Sequence, residues 1–127
     1  MSSDPIARWH RAVEAKDFAA IEDLLAEDAV FYSPVVHSPQ AGKALTAKYL
    51  RAAMAVLNTP SFRYVGEWRS ERSAVLEFEV ALDGVHVNGV DLIRWNEEGR
   101  IVWFKVMMRP LKALNAVIPR MAEQLQA

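Results

Sequence analysis

From Phe62 onward the apolar side chains of this chain recur at every second residue. Phe62, Tyr64 and Trp68 alternate with Arg63, Glu67 and Arg69, and Leu76, Phe78 and Val80 alternate with Glu77 and Glu79. A period of two sends neighbouring side chains to opposite faces, so these segments read as strands with one apolar and one polar face. The pairs "DG" at Asp83-Gly84 and "NEEG" at Asn96 to Gly99 fall where reversals are needed. They predict an antiparallel meander for the last strands. A sheet of this kind must cover its apolar face with another layer.

The first half of the chain supplies that layer. "SDPIARWHRAVEAKD" opens with a capping Asp4 and Pro5 in the first turn, followed by Ile6, Trp9 and Val13 at helical spacing. "DFAAIEDLL" repeats the pattern with Phe18, Ile21, Leu24 and Leu25, and "AVFYSPVV" then reads as a short strand that Pro34 ends. Lys43 to Leu57 returns to helix, with Leu45, Tyr49, Ala53 and Val56 on one face, until "NTP" stops it. A last helical stripe, about 111–126, holds Pro119 in its middle and is expected to kink or break there. Helices first and strands later give an α+β fold, read as a single domain over 1–127 with the terminal helix as an extension.

At 127 residues with a net charge of −1, acids and bases mixed along the chain, nothing forms an electrostatic footprint for nucleic acid or an anionic membrane. With no cysteine there are no disulfides, thiol nucleophiles or thiolate metal sites. The three histidines lack the spacing of a metal-binding helix, so neither metal nor cofactor is expected. No phosphate-cradling glycine loop or GxSxG elbow is present. The opening residues lack the basic-then-apolar order of a signal peptide, and no apolar run approaches membrane-spanning length. A soluble cytoplasmic protein is the expectation.

Within "VNGVDLIRWNEEGRIVWF" one residue breaks the apolar pattern. Period two puts Asp91 on the same face as Ile93 and Trp95, turned toward the helices, unless Gly89 seats a bulge. In the final strand Val102, Phe104, Val106 and Met108 form the row expected to face inward. A carboxyl group there either stays protonated or finds hydrogen-bond donors, because an unpaired buried charge is costly. As a neutral acid it can donate to a ligand carbonyl or oxyanion; as a structural group it can hold a polar network instead.

"VDLIRWNEEGRIVWFKVMM" resembles the closing hairpin of ketosteroid isomerases, and "ARWHRAVEAKDFAAIEDLLAEDAVFYSPV" resembles their opening. The similarity spans roughly residues 6 to 108 and extends to the nuclear transport factor 2-like and SnoaL-like superfamily. It implies a cystatin-like cone: a curved antiparallel sheet wrapped around helices, an apolar pocket inside, and a homodimer. Asp91 matches the protonated oxyanion donor of ketosteroid isomerases, a well-known neutral carboxylic acid. Trp9 stands at the family's oxyanion tyrosine, and Ser33 at its catalytic aspartate, where a hydroxyl cannot act as a base unaided. Limonene epoxide hydrolase has an Arg two residues before the strand Asp, where this chain has Gly89. SnoaL-like cyclases keep a single pocket acid, as here.

The candidate catalytic residues are Asp91 and, as an imidazole near the strand carrying Ser33, His37. Trp9, Ser33, Met54, Trp68, Phe78, Trp95, Phe104 and Met108 are the candidate ligand contacts, though aromatic and methionine side chains on apolar faces also serve as core. Trp103 and Met107, on the outer sheet face, are candidates for a homodimer surface. Three readings remain open: an isomerase, cyclase or dehydratase using Asp91 on a small hydrophobic carbonyl compound, a non-catalytic pocket for a small apolar molecule, and a dimerising module with a vestigial pocket.

Overall fold

A computed structural model describes residues 4–126; residues 1–3 and 127, which the expected domain includes, lie outside the described residues. Helix α1 (Pro5–Ala15) starts where Asp4 accepts a hydrogen bond from the Ile6 N–H, and it ends at Lys16, whose φ of 54° takes the left-handed turn. Asp17 caps α2 (Phe18–Leu24) in the same way, accepting from the Ala20 N–H. The chain becomes extended one residue earlier than the helical spacing suggests. Leu25 begins β1 (Leu25–Tyr32) and buries its side chain from the strand rather than from α2.

The two-residue β2 (Gln40–Ala41) leads into α3 (Lys43–Leu57). Of the face its spacing implied, Val56 is buried and Tyr49 and Ala53 are half-buried, while Leu45 is exposed and Thr46 and Leu50 are buried beside them. The Thr46 hydroxyl donates to the Ala29 carbonyl of β1 at 3.1 Å and ties the helix to the sheet. At its other end Asn58 donates to the Val13 carbonyl at 2.9 Å, tying α3 to α1.

The meander follows as β3 (Arg63–Arg69), β4 (Ser73–Leu82), β5 (Val85–Trp95) and β6 (Ile101–Arg109). Asp83 and Gly84 both have positive φ, the geometry of the tight two-residue hairpin that "DG" favours. At the next reversal the Asn96 side chain accepts from the Glu98 and Arg100 N–H groups. Strand order across the six-stranded sheet is β2-β1-β6-β5-β4-β3. Every pair is antiparallel except β1 with β6, so the curved sheet is mixed.

Two irregularities change which side chains face inward. The register of β3 on β4 shifts between Tyr64 and Gly66, so Tyr64 stays on the inner face opposite Phe78 while Trp68 pairs with Val75 and turns outward. Near the β5–β6 turn the register shifts between Arg94 and Trp95, which turns Ile101 inward and displaces Val102 from the row expected to be buried. Gly89 seats no bulge, and pairing runs without a shift from Asn88 to Arg94.

Helix α4 (Leu111–Gln126) continues through Pro119 instead of breaking there. It is held on both sides of the proline, where Ala113 and Val117 are fully buried before it and Met121 packs against the core after it, and the only backbone bond Pro119 forfeits would have gone to the carbonyl of the exposed Asn115. The core between sheet and helices centres on Phe31, Phe78 and Phe104, each about 1 % exposed. Burial of each stabilises the fold by roughly 1.5–3 kcal/mol. Among the described residues no helix is long and apolar enough to cross a membrane.

Candidate functional site

Three polar side chains from three elements meet inside this apolar interior. Trp9 comes from the buried stripe of α1, Tyr64 from β3 just before its bulge, and Asp91 from the middle of β5, flanked by Leu76 and Val106 on the neighbouring strands. The Trp9 indole N–H donates to the Tyr64 oxygen at 2.9 Å, and the Tyr64 hydroxyl donates to Asp91 Oδ2 at 2.6 Å. An indole nitrogen can only donate. The direction of the whole chain therefore follows: Tyr64 accepts from Trp9 and passes its own proton toward Asp91. Among the described residues Tyr64 is the one hydrogen-bond partner of the Asp91 carboxyl, which leaves Oδ1 for anything that enters beside it.

The electrostatics follow from that environment. Asp91 is 6 % exposed, and burial pushes its pKa up from 3.8 to about 7, with the Tyr64 hydrogen bond pulling the other way. At neutral pH the group is therefore protonated to a far greater extent than an ordinary aspartate. Burial of the Tyr64 hydroxyl, together with the adjacent Asp91 charge and hydrogen bond, raises that phenol well above its ordinary value. Tyr64 therefore stays protonated and remains a donor.

Asp91, Tyr64 and Trp9 line a cavity of about 40 Å³ closed by Phe78, Phe104 and Met54. A water needs roughly 10–15 Å³ on this measure. The space beside Asp91 therefore has room for a small polar group such as a carbonyl or hydroxyl. A second cavity of about 180 Å³ lies toward α4, walled by Phe31, Tyr49, Met108, Val117, Met121 and Leu125. Ala53, Leu57 and Val106 line both, so the two cavities share an apolar wall.

The residues singled out from the sequence divide between these places. Trp9, Met54, Phe78 and Phe104 line the Asp91 cavity, while Ser33 and Met108 line the outer one. The Ser33 oxygen accepts from the N–H groups of Val35 and Val36 at 3.0 and 3.2 Å, which makes it the organiser of a turn after Pro34. Three expectations are corrected. Trp68 is 58 % exposed on the outer sheet face, turned there by the β3 bulge, with its ring folded over Gly66. Trp95, at the far end of β5, borders a polar surface cleft beside Arg72 and Glu97. His37 is exposed and lines neither cavity, because the Ser33 turn carries the chain away from the interior before reaching it.

Tyr64 is the residue that sequence reasoning left unassigned. Its signal was present: a phenol on the inward row of a strand needs a partner for its hydroxyl, and Asp91 on another inward row needs a donor. Gly89 occupies the inward row two residues before Asp91, and the Phe78 ring fills its place. Among the described residues no group of three or more His, Cys, Asp or Glu is arranged to hold a metal ion.

Comparison with known proteins agrees with this architecture. A family model described as the SnoaL-like domain matches residues 6–104. A steroid delta-isomerase from Pseudomonas aeruginosa is 35% identical and superposes with a TM-score of 0.90, covering 96% of this chain and 89% of that one. A protein with a cystatin-like fold from Silicibacter pomeroyi DSS-3 is 33% identical, with a TM-score of 0.86 and coverage of 94% and 84%. The epoxide hydrolase/cyclase-like enzyme SalBIII, which has a role in pyran ring formation in the polyether salinomycin, shares the fold at 19% identity, with a TM-score of 0.66 and coverage of 84% and 89%. No curated protein matches the sequence.

Proposed function

This chain belongs to the SnoaL-like domain family, and from that membership we propose that it binds a small, uncharged carbonyl compound and moves a proton on it through Asp91, as an isomerase, cyclase or dehydratase does. The observation carrying this reading is the Trp9–Tyr64–Asp91 chain of hydrogen bonds ending in an apolar cavity. A general acid or base works best with a pKa near the working pH, and burial brings Asp91 to about 7.

The chemistry needs only this one titrating group. Protonated Asp91 gives its proton from Oδ1 to the ligand oxygen, and the resulting carboxylate keeps the Tyr64 hydrogen bond on Oδ2. The carboxylate then takes a proton from a carbon or hydroxyl of the same ligand, which restores the acid and leaves the ligand rearranged. Tyr64 holds the carboxyl in place and Trp9 holds Tyr64. Ser33 stands where a ketosteroid isomerase has its base, and it lines the other cavity with its oxygen engaged by two backbone N–H groups. That observation favours a second reading, a binding pocket without turnover. A homodimer formed through the outer sheet face around Trp103 and Met107 is part of the same proposal, supported by the exposed Met107 and by Arg94 and Lys105 stacked on the Trp103 ring.

The test is deuterium exchange and double-bond migration on a panel of small enones and cyclic ketones, comparing wild type with Asp91→Asn and Tyr64→Phe. Turnover abolished by Asp91→Asn supports the proton-transfer role. Binding without turnover in wild type selects the pocket reading, and turnover that survives Asp91→Asn overturns both assignments to Asp91.

A further inference from the structure

The proposed chemistry makes no use of helix α4. The family model ends at residue 104, inside β6, and α4 follows it. One side of this helix forms a wall of the outer cavity through Val117, Ile118, Met121 and Leu125. Its attachment is uneven along its length. Before Pro119, Ala113 and Val117 are fully buried; after it none of the described side chains is, and Met121 alone packs against the core. The second half thus rests over an open space of about 180 Å³, where the first half rests on packed atoms.

Two features mark Pro119 as the place where the halves part. Its nitrogen carries no hydrogen, so the bond to the Asn115 carbonyl is missing, and helices bend most readily at such a gap. The next residue, Arg120, is the polar hold beyond it. One arm of its guanidinium donates to the Ala116 carbonyl at 2.6 Å, and the other meets the Asp83 carboxylate. Asp83 belongs to the tight β4–β5 hairpin, where it and Gly84 both have positive φ, so this anchor is part of the sheet. The Arg120 and Asp83 side chains are 35 % and 79 % exposed. An ion pair in that setting is weak and screened by salt, which suits a hold that has to be released.

The opposite lip of the cavity is tied differently. Val35 and Val36 border the same space, and their N–H groups both donate to the Ser33 oxygen, at 3.0 and 3.2 Å. Val35, Val36 and Ile118 are 45%, 43% and 40% exposed, so apolar side chains from the turn and from α4 gather at one opening. Of the two lips, the helix end held by a surface ion pair is the one that yields.

We propose that residues 119–126 are a gate to the interior, hinged at Pro119 and latched by the Arg120–Asp83 ion pair. The latch residues line neither cavity, so they set how fast molecules enter and leave. This goes beyond the reading of Asp91 and does not depend on it: any small molecule bound for the interior meets the same gate.

The chain holds no cysteine, so a single introduced thiol reports entry directly. Val106 is 5 % exposed and lines both cavities. The experiment follows labelling of Val106→Cys by methyl methanethiosulfonate with mass spectrometry, with Met108→Cys as a second position on the outer cavity. Ile21→Cys, fully buried on α2 and lining neither cavity, reads unfolding of the whole domain. Through the gate, Val106→Cys labels faster than Ile21→Cys and with little dependence on urea, because little surface is exposed on opening. Asp83→Asn keeps a residue that accepts positive φ in the hairpin; it and Arg120→Ala each raise the Val106→Cys rate by up to about fivefold, and added salt does the same while the latch is intact. Pro119→Ala restores the missing bond and lowers the rate about tenfold. If none of these substitutions moves the rate at Val106→Cys or Met108→Cys, entry bypasses α4 and the gate is overturned. It is overturned too if both thiols label only as fast as Ile21→Cys, with the same urea dependence, since the interior then opens only by unfolding.

Discussion

The Phe78 ring lies where a side chain at Gly89 would begin: a Cβ placed there would collide with Phe78 Cζ and meet the Met107 carbonyl oxygen at 2.8 Å. Phe78 reaches across because Gly89 is bare, and in doing so it closes one side of the Asp91 cavity. Gly89→Ala is expected to destabilise the fold by about 1–3 kcal/mol, the usual cost of overpacking. Because the displaced ring has the cavity on its other side, ligand affinity falls as well. Urea unfolding and binding of the small-enone panel read the two effects; an alanine variant as stable as wild type would mean that the strand pair yields more easily than this contact allows.

Stability should depend on pH through Asp91 in an unusual direction for an aspartate. Its folded pKa of about 7 lies above the unfolded value of 3.8, so below 3.8 the group is neutral in both states and its contribution is fully present. As pH rises from 3.8 to about 7 the unfolded chain ionises while the folded protein holds its proton, and stability falls; above about 7 the contribution stays lost. At about 1.36 kcal/mol for each pH unit crossed, the loss is on the order of 4 kcal/mol. Asp91→Asn removes this slope. Unfolding midpoints of the two proteins from acid to neutral pH should therefore converge at the acid end and separate toward neutrality, the variant becoming the more stable. Parallel curves would place the carboxyl in a wetter site.

Tyr64→Phe removes the hydrogen bond that holds the Asp91 pKa down. Asp91 should then keep its proton to higher pH, moving the midpoint of any pH-dependent binding upward from about 7. It also leaves the Trp9 N–H without its acceptor, costing about 1–3 kcal/mol of stability. The carboxyl resonance of Asp91, followed by NMR across the titration, measures the shift; a midpoint that falls would show that Tyr64 does not donate to it.

On the outer sheet face, Met107 is 47 % exposed and Trp103 carries Arg94 and Lys105 over its ring. If this face joins two copies, Met107→Lys puts a charge into the contact and sedimentation equilibrium should register a weaker dimer. The fold should be unaffected, since surface substitutions usually change stability by no more than about 0.5 kcal/mol. A monomeric wild type would remove the dimer from the proposal.

Much of the architecture was legible in residue order. The "NTP" stop ends α3, Asp4-Pro5 starts α1, and the positive-φ pair Asp83-Gly84 makes the hairpin that "DG" announces. These signals are local: capping, turn geometry and side-chain period act within a few residues, so they survive without knowledge of the rest of the chain. Asp91 belongs with them, because β5 keeps its alternation unbroken from Asn88 to Arg94. Its inward direction needs nothing more than period two.

Tertiary structure decided whatever depended on one strand's neighbour. A single register shift between Tyr64 and Gly66 keeps Tyr64 inside and turns Trp68 out, and nothing in "YVGEW" states where the extra residue is absorbed. Thr46 found its acceptor in the Ala29 carbonyl of β1, a strand its own spacing does not name, and Ser33 became a turn residue that accepts from the two N–H groups after Pro34. The pairing of Tyr64 with Asp91 spans 27 residues and two strands. By itself the sequence determined that an acid would face the interior; only packing determined that a phenol and an indole would meet it there, because buried polar groups find partners wherever the fold brings them within reach.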